Sequence, residues 1–234
     1  MEASGKIVLP GDVLPLAADA KKTAVVRLGP GLLQTDDAIR ATQTGLLLAN
    51  PSNNTWWVNG STKRYVPALG EPVIGVVVSR TAEHYRVDIG SANTALLPVL
   101  AFEGATKRNR PNLLVGAPVY ARVTLANRDM EPEIECVNSS SGKADGFGEL
   151  TGGLIAHCSL QQCQRLLDPD NIVLNTIGAK IPLDVAIGLN GRVWVNNEKH
   201  KNVILVANAI TSSEFLSHEQ CQALVQSLIA KLEL

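Results

Sequence analysis

Three short runs of apolar and β-branched residues constrain the fold of this chain more than any other feature of its sequence. The runs lie at residues 73–78, 85–89 and 119–125, and each has the length of a single strand. Asp88 lies between Val87 and Ile89, the alternation expected of a strand with one face towards solvent. Together with the other short runs nearby, they predict a small closed β-barrel of about five strands.

A basic segment lies between the second and third of these runs. Residues 101–111 begin with apolar side chains, continue with the cations Lys107, Arg108 and Arg110, and end at Pro111. Proline terminates both helices and strands, so we expect the cations to occupy a loop from which they can reach a polyanion. A basic loop on a small barrel is typical of OB folds that bind single-stranded nucleic acid. The segment by itself is equally compatible with an ordinary solvated loop.

The charge of the chain is unevenly distributed along the sequence. The 234 residues carry a formal net charge of −1, so no long-range field attracts the whole chain to nucleic acid. Residues 61–130 contain nine Lys or Arg and five Asp or Glu, a net charge of +4, which leaves −5 for the remainder. Any binding to nucleic acid is therefore expected to be local to this central segment.

Turn residues divide the chain into three predicted regions. Short apolar strands interrupted by Gly, Pro and Asn predict a small β domain over residues 1–67. The barrel region covers residues 68–146 and ends in a Ser- and Gly-rich linker. A mixed α/β domain covers residues 147–234. The expected fold class is therefore mainly β with a C-terminal α/β domain.

The C-terminal region contains the clearest helical pattern. Its other predicted elements are one helix and two strands, at residues 160–167, 183–187 and 192–195. Ser217 and Gln220 have the spacing of a capping box. From Cys221 to Leu232 the apolar residues repeat at helical spacing, which predicts a final amphipathic helix.

A Gly-Leu-Asn-Gly sequence at residues 188–191 allows two interpretations. KH domains clamp a nucleotide backbone with a Gly-x-x-Gly loop between two helices. Here both flanks predict strands, and Asn190-Gly191 is a favoured two-residue hairpin turn in which both residues take positive φ. We therefore predict that Gly188, Asn190 and Gly191 form a structural turn and that Trp194 is a buried anchor. RNA contact at this turn is the alternative.

The sequence contains no convincing catalytic or metal-binding pattern. Asp36-Asp37 precedes a segment predicted to be helical, and Asp168-Pro169-Asp170 separates a helix from a new cap, positions where Asp commonly caps helices. His157-Cys158 with Cys163 lacks a second ligand pair at zinc spacing. HExxH, GxSxG and P-loop motifs are missing from the sequence. We therefore expect no active site, no metal and no cofactor.

The sequence also indicates in which cellular compartment the protein is expected. The N-terminus lacks the architecture of a signal peptide, and no run approaches the roughly 18 apolar residues of a membrane span, so we expect no membrane association. Few and irregularly spaced cysteines are typical of reduced thiols in a nuclear or cytosolic protein. The chain has four, Cys136, Cys158, Cys163 and Cys221.

Seven short motifs follow one another along the chain. They lie at residues 8–12, 63–67, 73–77, 102–111, 134–136, 146–148 and 188–195. Each motif is weak alone, but in this order and at this spacing they resemble the S1-plus-KH cap subunits of the eukaryotic RNA exosome. The resemblance covers nearly the whole chain. It implies an N-terminal β domain, an S1-type OB-fold barrel and a KH-like domain.

The same resemblance implies a function. Such subunits are non-catalytic and sit with two other cap proteins on a ring of six ribonuclease-PH-like proteins. They help to hold the ring together and line the entrance through which single-stranded RNA passes to a separate nuclease. The chain is thus expected to be part of a hetero-oligomer. It is expected to serve ribosomal RNA maturation, RNA surveillance and mRNA turnover in nucleus, nucleolus and cytoplasm.

The basic loop is the predicted RNA site. We expect its cations to bind phosphates, contacts that carry no sequence information. The full set of candidate RNA-binding residues is Lys107, Arg108, Arg110, Arg80, His84, Tyr85 and Arg86. Tyr85 is the aromatic residue of the set that could stack on a base. Because aromatic residues make up only 4% of the chain, we expect weak and sequence-independent binding.

Other classes of function remain open. A freestanding OB-fold RNA-binding or ribosome-assembly factor would bind RNA alone, whereas a complex subunit should expose large apolar patches. The predicted patch contains residues 46–48 and Trp56-Trp57, although one of these two rings is expected to pack inwards. A hydrolase would have to show metal-dependent RNA cleavage that a mutation in the basic loop abolishes.

Overall fold

The computed structural model describes residues 5–14, 26–35, 38–60, 62–127, 129–138, 140–169 and 171–230. The chain forms two compact units, Met1–Thr62 and Lys63–Leu234. The first unit thus ends at Thr62, before the predicted boundary at residue 67. The physical reason is Tyr65, whose ring packs into the core of the barrel and whose hydroxyl donates to Glu71 Oε2 at 2.6 Å.

The first unit is built from short strands in its described part. They are β1 (Ile7–Val8), β2 (Val13–Leu14), β3 (Arg27–Leu28), β4 (Leu32–Thr35), β5 (Ala38–Ala41), β6 (Gly45–Asn50) and β7 (Thr55–Asn59). One sheet has the order β1-β6-β7-β3 and the other β2-β5-β4. The core they enclose contains Val8, Leu14, Ile39, Ala41, Leu47 and Val58. The small β domain that the sequence predicts is therefore present.

Two details of the first unit correct or refine the sequence predictions. The helix expected after Asp36-Asp37 is wrong, because the segment that follows is β5, which pairs with β2 and β4. Asp36 and Asp37 themselves lie outside the described residues. Trp56 packs against the core and its Nε1–H donates to Asn54 Oδ1 at 3.3 Å. Trp57 follows it on the strand and is half-buried.

The barrel occupies the first part of the second unit. Its strands are β8 (Pro72–Arg80), β9 (His84–Asp88), β10 (Ala95–Pro98), β11 (Pro118–Leu125) and β12 (Glu133–Glu135). They pair in the order β12-β10-β9-β8-β11, and β12 also pairs with β11, which closes the barrel. The three strands predicted from apolar runs are confirmed. Their inward residues alternate along each strand, as in the buried set Val73, Val77, Val87, Val119, Ala121 and Val123.

The remaining chain forms the α/β domain. Strands β14 (Leu154–His157), β15 (Asp184–Gly188) and β16 (Arg192–Asn196) form an antiparallel sheet of order β14-β16-β15. Helices α1 (Leu160–Leu166), α2 (Ile172–Gly178), α3 (His200–Ser212) and α4 (His218–Ala230) complete it. Val193, Val206, Ala209, Ile210 and Val225 are fully buried in its core. The predicted fold class, mainly β with a C-terminal α/β domain, is confirmed.

Local signals mark the starts of three of the described helices. Ser159 caps α1 by accepting the N–H of Gln162 at 3.1 Å. Ser217 and Gln220 form the predicted capping box, with Ser217 N–H donating to Gln220 Oε1 at 3.0 Å. The cap of α2 is Asn171, which accepts from the N–H of Leu174. Two predicted helix residues or caps, Asp170 and Leu232, lie outside the described residues.

Barrel and α/β domain belong to one compact unit, and the segment between them stays with the barrel. Strand β13 (Gly148–Glu149) pairs with β11, and Phe147 stacks on Tyr120 with ring centroids 4.8 Å apart. The chain therefore leaves the barrel sheet after residue 149, beyond the predicted boundary at residue 146.

Candidate nucleic-acid interface

The basic loop, residues 102–111, is held by a tight turn at its tip. Thr106 N–H donates to the carbonyl of Asn109 at 2.9 Å, and Asn109 N–H donates back to Thr106 Oγ1 at 3.1 Å. At its base, Phe102 forms an isolated β-bridge with Cys136. The turn places Lys107 and Arg108 at the outermost point of the loop.

The cations of the loop differ in what they contact. Lys107 and Arg108 are exposed, and no side-chain hydrogen bond or ion pair engages them within the described part of the chain. Arg110 donates through Nη1 to the carbonyl of Ala82 at 3.1 Å and through Nε to that of Lys107 at 3.1 Å. Arg110 therefore ties the loop to the β8–β9 turn, while its exposed guanidinium keeps further donors for a phosphate.

The β8–β9 hairpin brings a fourth cation to the loop. Arg80, the last residue of β8, donates through Nη1 to Asn112 Oδ1 at 2.5 Å, immediately beyond the basic loop. His84 is half-buried, and its carbonyl accepts from Thr81 Oγ1 at 2.8 Å. Arg86 lies 3.6 Å from Glu131 Oε1 and is thus partly neutralised. The structure assembles Arg80, Lys107, Arg108 and Arg110 around one loop and gives Arg86 a separate partner.

The assignment of Tyr85 as a base-stacking residue is wrong. Its ring is only 4% exposed and belongs to the barrel core, because position 85 faces inwards on β9. Its hydroxyl donates to the carbonyl of Pro111 and accepts the N–H of Leu113 at 3.4 Å. Tyr85 therefore anchors the end of the basic loop to the barrel, and a base cannot reach its face.

Replacing Tyr85 with phenylalanine is expected to loosen the basic loop without disturbing the core. The variant keeps the buried ring and loses only the two hydrogen bonds of the hydroxyl, which costs about 1 kcal/mol of the free energy of unfolding. Urea unfolding followed by circular dichroism measures this loss, and hydrogen exchange should show faster exchange at Leu113. Tyr120→Phe is the matched control, since its hydroxyl contacts Ile187 and not the loop. Equal loop protection in both variants would contradict the anchoring role.

The Gly-x-x-Gly segment connects β15 to β16 as a hairpin, with the predicted strands on both sides. The predicted two-residue turn with two positive φ values is wrong. Gly188 pairs with Arg192, so three residues form the loop, and within it Gly191 has φ +80° whereas Asn190 is not among the residues with positive φ. The side chain of Asn190 instead forms hydrogen bonds with the backbone of the barrel.

The side-chain amide of Asn190 acts as a backbone substitute for the barrel. It accepts the N–H of Ile74 at 3.1 Å and donates to the carbonyls of Ile74 and Ile89, each at 2.8 Å. The pairing of β8 with β9 ends at Val76 and Asp88, so Asn190 supplies the partners that β9 no longer provides. Gly188 has to lack a side chain, because a Cβ there would lie 2.4 Å from Asn190 Oδ1.

Two further side chains fasten this hairpin to the barrel. Arg192 donates through Nη2 to Asp88 Oδ2 at 2.7 Å and through Nη1 to the carbonyl of Asp88 at 2.6 Å. Partial burial alone raises the pKa of the Asp88 carboxyl, but hydrogen bonds from Arg192 and from Gly90 N–H hold that pKa below its ordinary value. Trp194 packs with Ile74 of the barrel, and its Nε1–H donates to the carbonyl of Gly152 at 2.9 Å. These contacts fasten the segment to the barrel.

Sequence reasoning missed several residues that position the interface. Asn112, which holds Arg80, follows Pro111 directly and could have been found as a polar residue at the end of the loop. Arg192 and Asp88 lie 104 positions apart, so their pairing leaves no local signal.

Among the described residues, no group of three or more His, Cys, Asp or Glu side chains could hold a metal ion. No described helix is both long and apolar enough to cross a membrane.

Family models match the chain in three consecutive segments. Residues 26–64 match the Exosome complex exonuclease Rrp40 N-terminal domain. Residues 65–148 match the S1 domain of exosome complex component RRP40, and residues 153–201 match a KH domain. The basic loop falls in the S1 domain and the Asn190 hairpin in the KH domain.

Whole-chain relatives agree with these matches. Exosome complex component rrp40 of Schizosaccharomyces pombe is 45% identical, with 95% of this chain and 94% of the relative covered. Exosome complex component RRP40 of Drosophila melanogaster is 40% identical over 92% and 91%, and that of Homo sapiens is 35% identical over 92% and 87%. A crystal structure described as an exosome complex RNA-binding protein has a TM-score of 0.62, covers 73% of this chain and 98% of its own, and at 21% identity shows likeness of fold alone. The chain therefore belongs to the Rrp40 family of exosome complex components.

Proposed function

We propose that this chain is a non-catalytic cap subunit of the RNA exosome, which stabilises a ring of ribonuclease-PH-like subunits and guides single-stranded RNA into the central channel. The observation that carries the RNA-binding part is the exposed Lys107-Arg108 tip on an S1-type barrel. The assembly part rests on family membership. The other cap subunits are further partners. The chain acts in RNA processing and decay in the nucleus, nucleolus and cytoplasm.

The geometry of the loop supports a guiding role. The aromatic rings near the cations pack inwards, since Tyr85 is buried and Phe102 packs against the barrel core. Binding must then rest on ammonium and guanidinium groups, which attract phosphates of any sequence and are strongly screened by salt. Weak contacts of this kind hold a strand near an entrance and let it slide, as a threading subunit requires.

Apolar surface on the first unit supports assembly into a complex. Leu47 of the predicted patch is buried in the core, so the patch is different from the one expected. Within the described part of this unit, the exposed large apolar side chains are those of Ile7, Leu9, Val13, Leu33 and Leu46. Ile7 and Leu46 are cross-strand partners on β1 and β6, which makes them neighbours on one face. Adjacent exposed apolar side chains of this kind are typical of surfaces that contact other proteins.

Charge reversal at the tip should weaken RNA binding with little effect on folding. We expect Lys107→Glu with Arg108→Glu to lower the affinity for an oligouridine and to reduce the slope of log Kd against log salt by roughly 1.4, two phosphate contacts at about 0.7 each. Fluorescence anisotropy across a salt series measures both. Arg110 is left intact because it also holds the loop.

Lys199→Glu with Lys201→Glu is the matched control for this experiment. Both lysines are exposed in the α/β domain, and the change in net charge is the same. The control should keep the wild-type slope. Equal losses of affinity in the two double variants would mean that net charge, and not the loop, governs binding.

Affinity purification of the tagged chain from its own cells tests the proposed function. We expect a roughly equimolar set of ring and cap proteins in the mass spectrum of the purified material. Recovery of the chain alone, or with ribosomes, would contradict the proposal and favour the freestanding RNA-binding or ribosome-assembly factor. Fluorescence microscopy of the same tagged chain tests its distribution between nucleus, nucleolus and cytoplasm.

A further inference from the structure

Two of the four cysteines of the chain lie side by side in the α/β domain. Cys158 directly follows β14 and Cys163 lies five positions later on α1, and their Sγ atoms are 3.3 Å apart. Ser159 caps α1, so the cysteines occupy the position before the cap and the fourth position after it. Apolar side chains commonly pack against each other at these two positions. Here thiols fill both of them, and the contact is between their reactive atoms.

The two sulfur atoms are close to the separation of a disulfide. Its S–S bond is about 2.05 Å long, so the atoms have to approach by roughly 1.3 Å, a movement shared between two side chains. The backbone on both sides is held in place. Cys158 N–H donates to the carbonyl of Gly191 at 3.0 Å, and Cys163 N–H donates to that of Ser159 at 3.1 Å. The fold therefore keeps the thiols opposite each other without joining them.

Hydrogen bonds give the two thiols different acidities. The hydrogen bond from the thiol of Cys158 lowers the pKa of Cys163, and a second one from Gly191 N–H lowers it further, although burial opposes both. The same sulfur contact, together with burial, raises the pKa of Cys158, which therefore keeps the proton. The thiolate is the nucleophile in disulfide chemistry. Cys163 is thus suited to attack the sulfur that lies opposite it.

Accessibility separates this pair from the other two cysteines. Cys158 is half-buried, whereas Cys163 is fully buried, so an oxidant in solution reaches Cys158 and not Cys163. Cys136 and Cys221 are both buried. Burial raises the pKa of Cys136, and the sulfur of Cys221 contacts backbone carbonyls instead of another sulfur. The described structure therefore favours oxidation at one pair of cysteines.

We propose that Cys158 and Cys163 form a reversible redox site, which a hydroperoxide converts to an intramolecular disulfide. The sulfur of Cys158 bonds to one peroxide oxygen, the O–O bond breaks, and the released hydroxide leaves as water with the proton of Cys158. Cys163 then attacks the Cys158 sulfur, the S–O bond breaks, and a second water leaves with the proton of Cys163. The thiols lose two electrons and the peroxide gains them. Exchange with reduced glutathione restores both thiols.

The pair contacts the hairpin that fastens the α/β domain to the barrel. A Cβ at Gly191 would lie 2.9 Å from the carbonyl oxygen of Cys158, and Gly191 N–H donates to the sulfur of Cys163. Asn190, the preceding residue, forms the hydrogen bonds with Ile74. Oxidation moves the sulfur that Gly191 contacts, so we expect its amide resonance to shift on oxidation and to return on reduction. An unchanged resonance would contradict this coupling.

Peptide mass spectrometry of the folded full chain after treatment with hydrogen peroxide tests the redox site. Free thiols are alkylated and the chain is digested with trypsin without reduction, so that residues 144–165, with both cysteines, form one peptide. We expect this peptide to lack two hydrogen atoms and to carry no alkyl group, while Cys136 and Cys221 are alkylated. Linkage to another cysteine, linkage in urea alone, or a disulfide that millimolar glutathione cannot reduce would overturn the proposal.

Single substitutions test the order of the two steps, with dimedone as a trap for sulfenic acid. Cys163→Ala should halt the reaction at the sulfenic acid of Cys158, which then carries dimedone. Cys158→Ser should leave the buried Cys163 reduced, and Cys221→Ser, the matched control, should form the disulfide as the wild type does. No adduct in Cys163→Ala, or an adduct of Cys163 in Cys158→Ser, would contradict this order. The wild-type measurement is decisive even if a variant fails to fold, and it does not depend on the proposed function.

Discussion

Replacement of Trp194 with alanine is expected to lower the free energy of unfolding of the second unit by about 4 kcal/mol. The side chain is 8% exposed and fills the space between Ile74 and Leu150 on the barrel side and Ala186 on β15. Alanine would leave a cavity there and would strand the carbonyl of Gly152, which accepts the indole N–H. Urea unfolding followed by circular dichroism measures the loss, and limited proteolysis should show earlier cleavage between barrel and α/β domain.

Phe215→Ala is the control for this substitution. It removes an aromatic ring of comparable size from the same domain, but the ring is exposed to solvent, so the effect should stay within about 0.5 kcal/mol. A small loss for Trp194→Ala, similar to that of the control, would mean that the two domains are not held together through this residue.

The second large effect is expected for Asn190→Asp, at about 4 kcal/mol of the free energy of unfolding. The carboxylate has almost the shape of the amide and can still accept from Ile74 N–H, but it faces the carbonyls of Ile74 and Ile89 without a proton to donate. These two carbonyls raise the pKa of the new carboxyl in the folded state, since only its protonated form can donate to one of them. The variant should therefore be least destabilised near pH 4 and most destabilised at neutral pH.

Two comparisons isolate this effect. Asn190→Ala should cost about 3 kcal/mol at every pH, because it strands the same backbone groups without adding a charge. Asn93→Ala changes an exposed asparagine of the barrel and should cost less than about 0.5 kcal/mol. Unfolding in urea at several pH values measures all three. A loss for Asn190→Asp that does not depend on pH would contradict the proposed contact between carboxylate and carbonyls.

The elements that were predicted correctly are those with a local cause. Strands β8, β9 and β11 were visible because inward and outward residues alternate within a few positions, and burial imposes that alternation. The start of α4 was visible because Ser217 and Gln220 satisfy each other's backbone within four residues. The basic loop was visible because Pro111 stops regular structure directly after three cations.

The roles that were predicted wrongly depend on contacts over long sequence separations. Tyr85 was predicted to stack on a base because it is aromatic and lies near the cations. Its hydroxyl instead donates to the carbonyl of Pro111, 26 positions away, and its ring faces the core. Asn190-Gly191 has the sequence of a two-residue turn, but the side chain of Asn190 forms hydrogen bonds with the backbone of Ile74, 116 positions away. The free energy gained from a local conformational preference is smaller than the free energy lost when a buried backbone group has no hydrogen-bond partner. The long-range contacts therefore decided both cases.

The sequence by itself determined the barrel strands, the capping box of α4, the basic loop and the fold class, because alternation, capping and proline act over a few residues. Only the tertiary structure decided which cations the loop presents, that Tyr85 serves as an anchor, and that the Gly-x-x-Gly hairpin faces the barrel. The physical reason is that hydrogen-bond satisfaction of buried groups is a property of the packed molecule. Its partners are drawn from residues that lie far apart in the sequence, from 26 positions for Tyr85 and Pro111 to 116 for Ile74 and Asn190.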